Sequence, residues 1–96
     1  METTYKITSE SNPAERSVTL MLNGKFGEDS LPELEHFIST ARGSSDRVYI
    51  DLSEVTLVDR KAIHFFSKRA DRDIVLVNCP VYLRRWIGKV RDDVEN

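Results

Sequence analysis

The chain has 96 residues, of which 40% are hydrophobic and 31% are charged, a composition typical of one globular domain and unlike that of a disordered chain. Its formal net charge is −2, and its single cysteine, Cys79, excludes an internal disulfide. We find no signal-peptide pattern and no apolar run near the ~20 residues that span a bilayer. We therefore expect one cytoplasmic domain over residues 1–96.

The charged residues are divided unevenly along the chain. Residues 1–59 hold 5 basic and 11 acidic side chains, whereas residues 60–91 hold 9 basic and 2 acidic ones. Two interpretations are open. Either the two segments neutralise each other in the folded domain, or residues 60–91 present a basic surface to an acidic partner, a phosphate or an anionic lipid. The acidic residues 92–96 are predicted to form a frayed tail.

The first third of the chain is predicted to form two strands and a helix. Residues 3–8 and 16–22 alternate in hydrophobicity, and the short connection between them favours antiparallel pairing. The sequence Ser30-Leu-Pro-Glu33 predicts a capping box with proline inside the first helical turn. Apolar residues at helical spacing then extend this helix to about Arg42.

The middle of the chain predicts a strand, a short apolar bridge and a second helix. Residues 48–52 are apolar except for Asp51, as in a central strand covered on both faces. The bridge, residues 55–58, leads to Asp59, whose carboxylate is predicted to cap a helix that begins at Arg60. The apolar residues of this helix fall on one side: Ala62, Ile63, Phe66 and Ala70.

A buried strand over residues 74–77 and a third helix complete the pattern. Trp86 and the arginines around it are compatible with a membrane-surface helix, but Trp86 falls on the apolar stripe with Leu83, Ile87 and Val90, which favours the core. The element order predicts an α/β fold in which an N-terminal antiparallel pair is followed by right-handed parallel βα units, with three helices. One core is expected: Ile50, Leu52, Ile63, Phe66, Val75, Val77, Leu83 and Trp86.

No catalytic or metal-binding pattern stands out. His36 and His64 lie away from the apolar stripes and have no second ligand at metal spacing, so we predict no metal and no cofactor. Asp51 lies where response-regulator receiver domains carry their phospho-acceptor, but the acidic pair that would hold Mg²⁺ after the first strand is missing. Asp51 is therefore predicted to tie down the loop toward Asp59. A binding module is favoured over an enzyme.

The sequence Asp51-Leu-Ser-Glu-Val-Thr-Leu-Val-Asp59 resembles the signature of STAS domains, the module of sulfate transporters and anti-sigma factor antagonists. In that family the second Asp is followed by Ser-Ser-Gly-Leu, which opens a helix. The resemblance implies a STAS-like fold and regulation by protein–protein contact. Antagonists of this family bind an anti-sigma kinase when unphosphorylated, and phosphate on the first Ser releases them. This chain departs from the pattern, because Arg60 replaces that Ser and Lys61 and Ala62 follow it.

The resemblance implies a protein partner, such as an anti-sigma factor or kinase-like regulator. It places the contact surface at the start of the middle helix and on its exposed face: Val58, Asp59, Arg60, Lys61, His64, Phe65 and Lys68. Phe65 lies either at the margin of the core or on the surface as an exposed aromatic anchor.

Two alternatives remain open. Thr56 and Ser67 are the nearest hydroxyls to the missing phosphosite, so the switch is conceivably displaced to one of them. The alternative function is an anion or lipid-headgroup binding domain that uses the basic residues 60–91. Neither nucleic-acid binding nor a membrane span is expected.

Overall fold

The computed structural model describes residues 5–69 and 74–95, with side chains described as far as residue 88. The elements occur in the predicted order: β1 (Tyr5–Asn12), β2 (Ser17–Phe26), α1 (Leu31–Ser44), β3 (Arg47–Val58), α2 (Arg60–Arg69), β4 (Ile74–Val77) and α3 (Val81–Glu95). No helix in this described part of the chain has the length and apolar character needed to cross a bilayer.

The four strands form one mixed sheet in the order β1-β2-β3-β4. β1 pairs with β2 in the antiparallel sense, whereas β2–β3 and β3–β4 are parallel pairs. The predicted α/β class, with its N-terminal antiparallel pair and parallel βα units, is confirmed.

The strand order explains why the helices cover only one face of the sheet. Each crossover adds the next strand on the same side, and right-handed crossovers then place successive helices on the same face. All three helices contribute to a single core with the inner face of the sheet: Leu34 and Ile38 of α1, Phe66 of α2, Leu83 of α3, and Leu20, Ile50 and Leu52 of the strands. The outer face carries Tyr49, Val75 and Val77, which are only half-buried.

The predicted core is therefore correct in part. Five of its members are buried: Ile50, Leu52, Ile63, Phe66 and Leu83. Val75 and Val77 lie on the outer face, because side chains alternate along a strand and Ile74 faces the helices. Trp86 is 51% exposed, since Leu83 and Ile87 occupy the centre of the α3 stripe. The expectation that the central strands are covered on both faces was wrong.

Several boundaries also differ from the predictions. Residues 55–58 are not a bridge but the end of β3, where register shifts against β2 mark an irregular ladder. The predicted capping box at Ser30 does not form, because the Ser30 hydroxyl donates to the carbonyl of Gly27 and accepts from its amide instead. Residues 92–95 belong to α3, so the predicted fraying of the acidic end stays a prediction.

The described part of the structure does not test two residues of the predicted apolar stripes. Ala70 lies outside the described residues, and the side chain of Val90 is not among those described. The buried side of α2 therefore rests on Ala62, Ile63 and Phe66.

Candidate functional site

The start of α2 is fixed by Asp59, as the sequence predicted. One carboxylate oxygen of Asp59 accepts the amide N–H of Ala62 at 2.8 Å, which caps the helix. The other oxygen accepts the amide N–H of Glu28 at 3.0 Å, and the Asp59 amide donates to the Phe26 carbonyl at 3.1 Å. One side chain thus joins the beginning of α2 to the loop between β2 and α1. We call residues 27–30 together with residues 58–62 the α2 corner.

Gly27 is required at the α2 corner because of close packing. A Cβ added at Gly27 would lie 2.9 Å from Cγ of Asp59 and still closer to one of its oxygens, well inside normal van der Waals contact. The Ser30 hydroxyl holds Gly27 in place through hydrogen bonds of 3.0 and 2.9 Å to its amide and carbonyl. The corner is therefore a tightly packed and hydrogen-bonded unit.

The outward side of α2 is basic. Arg60, Lys61, His64 and Lys68 are all exposed, and the first turn contains no acidic residue. Cations at a helix N-terminus oppose the helix dipole by about 0.3–1 kcal/mol each, and the Asp59 cap offsets part of that cost. The Lys61 ammonium lies 3.0 Å from the Glu28 carboxylate, with both side chains about two-thirds exposed, so this pair adds little stability. The structure thus gathers the predicted basic residues on one exposed face.

Phe65 lies at the margin of the core. It is half-buried, and its ring meets Phe66 edge-on with centroids 5.7 Å apart. The Arg69 guanidinium lies 5.6 Å from the Phe65 centroid and also pairs with Glu35 of α1. Phe65 therefore packs against the margin of the core, and only part of its ring reaches the surface. Val58, at the end of β3, is likewise half-buried.

The two nearby hydroxyls differ in accessibility. Thr56 is exposed on β3, whereas Ser67 is half-buried on α2. Thr56 is thus the more accessible of the two as a displaced phosphosite.

Asp51 links two strands, and does not tie down a loop toward Asp59, because β3 continues without a break to Val58. Its carboxylate accepts the amide N–H of Ser53 at 2.9 Å and the side-chain amide of Asn78 at 3.2 Å. Burial alone would raise the pKa of Asp51, but these hydrogen bonds outweigh it and place the pKa below its usual value.

No metal or nucleophile site emerges from the described residues. They contain no group of three His, Cys, Asp or Glu side chains able to hold a metal ion. Burial raises the pKa of the half-buried Cys79 thiol, although Arg84 opposes that shift. Cys79 is therefore a half-buried thiol that the described residues around it do not activate.

An open cleft of about 340 Å³ lies beside the α2 corner. Its lining is aromatic, aliphatic and acidic, with Lys25 as its cation: Tyr5, Phe26, Leu57, Glu28, Asp29 and Asp59. Desolvation and the neighbouring Glu33 carboxylate raise the pKa of the Tyr5 phenol, which stays a neutral hydrogen-bond donor. Sequence reasoning missed this cleft, because β1, the β2–α1 loop and the end of β3 build it together.

A second exposed surface lies on the first turns of α3. Val81, Tyr82 and Trp86 are 67%, 41% and 51% exposed, and Arg85, on the same side of the helix, is exposed as well. We call these four residues the α3 surface. The exposure of Trp86 contradicts the prediction that this residue lies in the core.

Comparison with known proteins identifies the fold. No family model and no curated protein matches the sequence. The solved structure of the anti-sigma factor antagonist SpoIIAA in its unphosphorylated form has a TM-score of 0.66 at 16% identity, over 95% of this chain and 99% of that one. The antisigma-factor antagonist STAS domain from Rhodobacter sphaeroides has a TM-score of 0.55 at 22% identity, over 76% of this chain and 85% of that one.

A third structure, a protein from Shewanella loihica with a SpoIIAA-like fold, has a TM-score of 0.56 at 12% identity, over 94% of this chain and 78% of that one. All three neighbours share the mixed sheet and its helices with this chain at low identity. The chain therefore has the SpoIIAA-like fold of STAS domains, as its sequence predicted.

Proposed function

We propose that this domain is a non-enzymatic interaction module that binds a regulatory protein through the basic face of α2. The observation that carries the proposal is the exposure of Arg60, Lys61, His64 and Lys68 on a helix whose start is held by Asp59. A surface that is rigid before binding loses little conformational entropy when the partner docks.

Similarity to known structures supports the proposal. Two fold neighbours are described as anti-sigma factor antagonists, and residues 51–59 resemble the STAS signature. The partner proposed here is accordingly an anti-sigma factor or a kinase-like regulator.

The charge of the α2 face defines the surface that such a partner must offer. Three cationic side chains and one histidine select an acidic patch, which steers association and suppresses basic competitors. The exposed part of the Phe65 ring adds an apolar contact at one side of this patch. Because Phe65 also packs on Phe66, its contribution to binding is smaller than that of a freely exposed aromatic.

The domain is proposed to bind constitutively. Arg60 follows the capping Asp59 directly, where the resemblance places a phosphorylatable Ser, and neither Arg60 nor Lys61 has a hydroxyl. A phosphate at that position would add negative charge at a helix N-terminus, whereas Arg60 keeps the charge positive. The partner would then be released by some means other than phosphorylation at this position.

Binding can be tested by calorimetry with a purified anti-sigma kinase from the same organism. Arg60→Glu and Lys68→Glu are expected to weaken binding at least tenfold each, because they place a like charge against an acidic patch. Arg42→Glu, the same charge change on the exposed end of α1, serves as the control and should leave the affinity unchanged. Equal losses for all three variants would point to a diffuse charge effect and contradict the proposed site.

The absence of a switch can be tested with the same kinase and ATP. Intact-mass measurement should show no added phosphate on the wild type, and binding should not respond to ATP. Arg60→Ser should become phosphorylatable and then lose its affinity. Stoichiometric modification of Thr56 or Ser67 that abolishes binding would overturn constitutive binding.

The alternative, an anion or lipid-headgroup binder, has less charge available than the sequence suggested. Lys61 pairs with Glu28, and Arg69 pairs with Glu35, so acidic side chains of the first segment neutralise part of the basic one. A diffuse electrostatic binder weakens steeply with salt, whereas a packed interface with an aromatic contact does so much less. Tight, steeply salt-dependent binding to phosphatidylserine vesicles, without affinity for the kinase, would favour the alternative.

A further inference from the structure

The α3 surface combines exposed apolar side chains with a cationic one. Val81, Tyr82 and Trp86 are three of the four large hydrophobic residues exposed in the described part of the chain, and the fourth is Leu57. Trp, Tyr and Arg are the residue types enriched at the energetic centres of protein interfaces. This helix face therefore has the composition of a docking surface.

The cleft beside the α2 corner has the complementary chemistry. Tyr5 and Leu57 line it together with Glu28, Asp29 and Asp59. Its volume of about 340 Å³ lies at the lower end of the range for small ligand pockets, which leaves room for one large side chain. An aromatic ring beside an arginine, as Trp86 and Arg85 are on α3, matches such a cleft in both shape and charge.

The two surfaces lie at the same end of the molecule. The Tyr82 hydroxyl lies 3.4 Å from the carbonyl oxygen of Val55, and Leu57, two residues further along β3, lines the cleft. Because the two surfaces adjoin, two copies related by a twofold axis can make the same contact twice. The α3 surface of each copy then contacts the cleft of the other.

We infer that the α3 surface docks on the cleft of a second copy of this chain, with Trp86 entering the cleft and Arg85 facing Glu28 and Asp29. An anionic membrane fits the same surface less well. The sequence after Arg91 contains Asp92, Asp93 and Glu95, and an anionic bilayer repels such a concentration of negative charge.

The test is sedimentation velocity of the purified chain up to the millimolar range at low salt. The wild type is expected to show a concentration-dependent dimer. Trp86→Ala should weaken self-association at least tenfold, because the apolar contact in the cleft is lost. Two charge reversals, Arg85→Glu and Glu28→Lys/Asp29→Lys, should each abolish it, because both contacts in either homodimer then join like charges.

An equimolar mixture of the two charge-reversed variants provides the decisive measurement. In a mixed dimer both contacts again join opposite charges, so association should return. Glu10→Lys/Glu15→Lys, an equal charge change on the β1–β2 hairpin, is the control and should self-associate like the wild type. Circular dichroism should show that every variant is folded.

Three outcomes would overturn the inference. These are a wild type that is monomeric at every concentration, a charge-reversed pair that fails to associate, and a Trp86→Ala variant whose dimer is unchanged. A monomer that binds phosphatidylserine vesicles through Trp86 would assign the surface to a membrane instead. Each result is independent of kinase binding, so it leaves the proposed function of α2 to its own test.

Discussion

Helices α2 and α3 carry the same kind of pattern, yet their aromatic residues have opposite environments. Phe65 of α2, which the sequence places either at the margin of the core or on the surface, is half-buried against Phe66 and Arg69. Trp86 of α3 was assigned to the core and is 51% exposed. Both residues lie at the edge of an apolar stripe, where sequence spacing alone does not decide burial. The surroundings in the folded chain decide it, because the Phe65 ring packs against Phe66 and lies beside the Arg69 guanidinium.

The two helices also begin differently. Asp59 caps α2 and holds it to the β2–α1 loop, whereas the segment before α3 is held by the contact between Asn78 and Asp51. Asn78 has a backbone φ of 53°, a left-handed conformation that Asn adopts more readily than most residues. The start of α2 is thus part of a packed corner, whereas the start of α3 is joined to β3 by the side chains of Asn78 and Tyr82.

The largest predicted effect concerns the residues at the centres of the two stripes. Phe66 and Leu83 are fully buried, so Phe66→Ala should lower the free energy of unfolding by about 3–5 kcal/mol and Leu83→Ala by about 2–5 kcal/mol. Urea unfolding measures both. His64→Ala, on the exposed side of α2, is the control and should stay within about 0.5 kcal/mol. A mild effect at Phe66 would mean that the wrong side of α2 faces the sheet.

The second prediction concerns the α2 corner. Gly27→Ala should lower the free energy of unfolding by about 1–3 kcal/mol, because the new methyl group overlaps the Asp59 carboxylate. In an Asp59→Ala background the same substitution should have a smaller effect, because the overlapping group is gone. Equal effects in both backgrounds would show that the corner relaxes without involving Asp59. Gly43→Ala, where an added Cβ meets nothing beyond its own stretch of α1 within 4 Å, is the control and should not lower the free energy of unfolding.

The third prediction compares Phe65 and Trp86 directly. Phe65→Ala removes an edge-on aromatic pair and a cation–π contact, which together contribute about 1–2 kcal/mol to the free energy of unfolding. Trp86→Ala removes a half-exposed ring and should have a smaller effect on stability. Thermal unfolding of the two variants ranks them. A larger loss of stability for Trp86→Ala than for Phe65→Ala would show that Trp86 is buried, as the sequence predicted.

Sequence reasoning recovered the element order, the sheet class and the Asp59 cap, because these depend on local patterns. Hydrophobic periodicity within α2 identified Phe66 as core, and the Asp before the helix identified the cap. It did not recover the open outer face of the sheet. Val75 and Val77 are as apolar as Ile74, and only the strand order shows that no helix covers them.

The functional surfaces were predictable to different degrees. The basic face of α2 follows from helical spacing, since Arg60, His64 and Lys68 are four residues apart. The cleft does not, because Tyr5, Gly27 and Leu57 are distant in sequence and meet only in the folded chain. The hydrogen bond from the Glu28 amide to Asp59 likewise depends on a contact across 31 residues. Long-range contacts of this kind leave no signal in local sequence.

The smallest predicted effect concerns the segment that leads into α3, and it depends on pH. Hydrogen bonds from Ser53 and Asn78 outweigh the effect of burial and hold the pKa of Asp51 below its usual value. A lowered pKa in the folded state stabilises the fold above the unfolded pKa of about 3.9, and this contribution is lost as pH falls through the folded value. We therefore expect the stability difference between wild type and Asp51→Asn, measured by urea unfolding, to be constant above about pH 5 and to shrink in more acidic buffer. Asn78→Ala should reduce the same pH dependence, because it removes one of the hydrogen bonds that favour the ionised carboxylate. A stability difference that does not change with pH would show that Asp51 acts through packing and not through its charge.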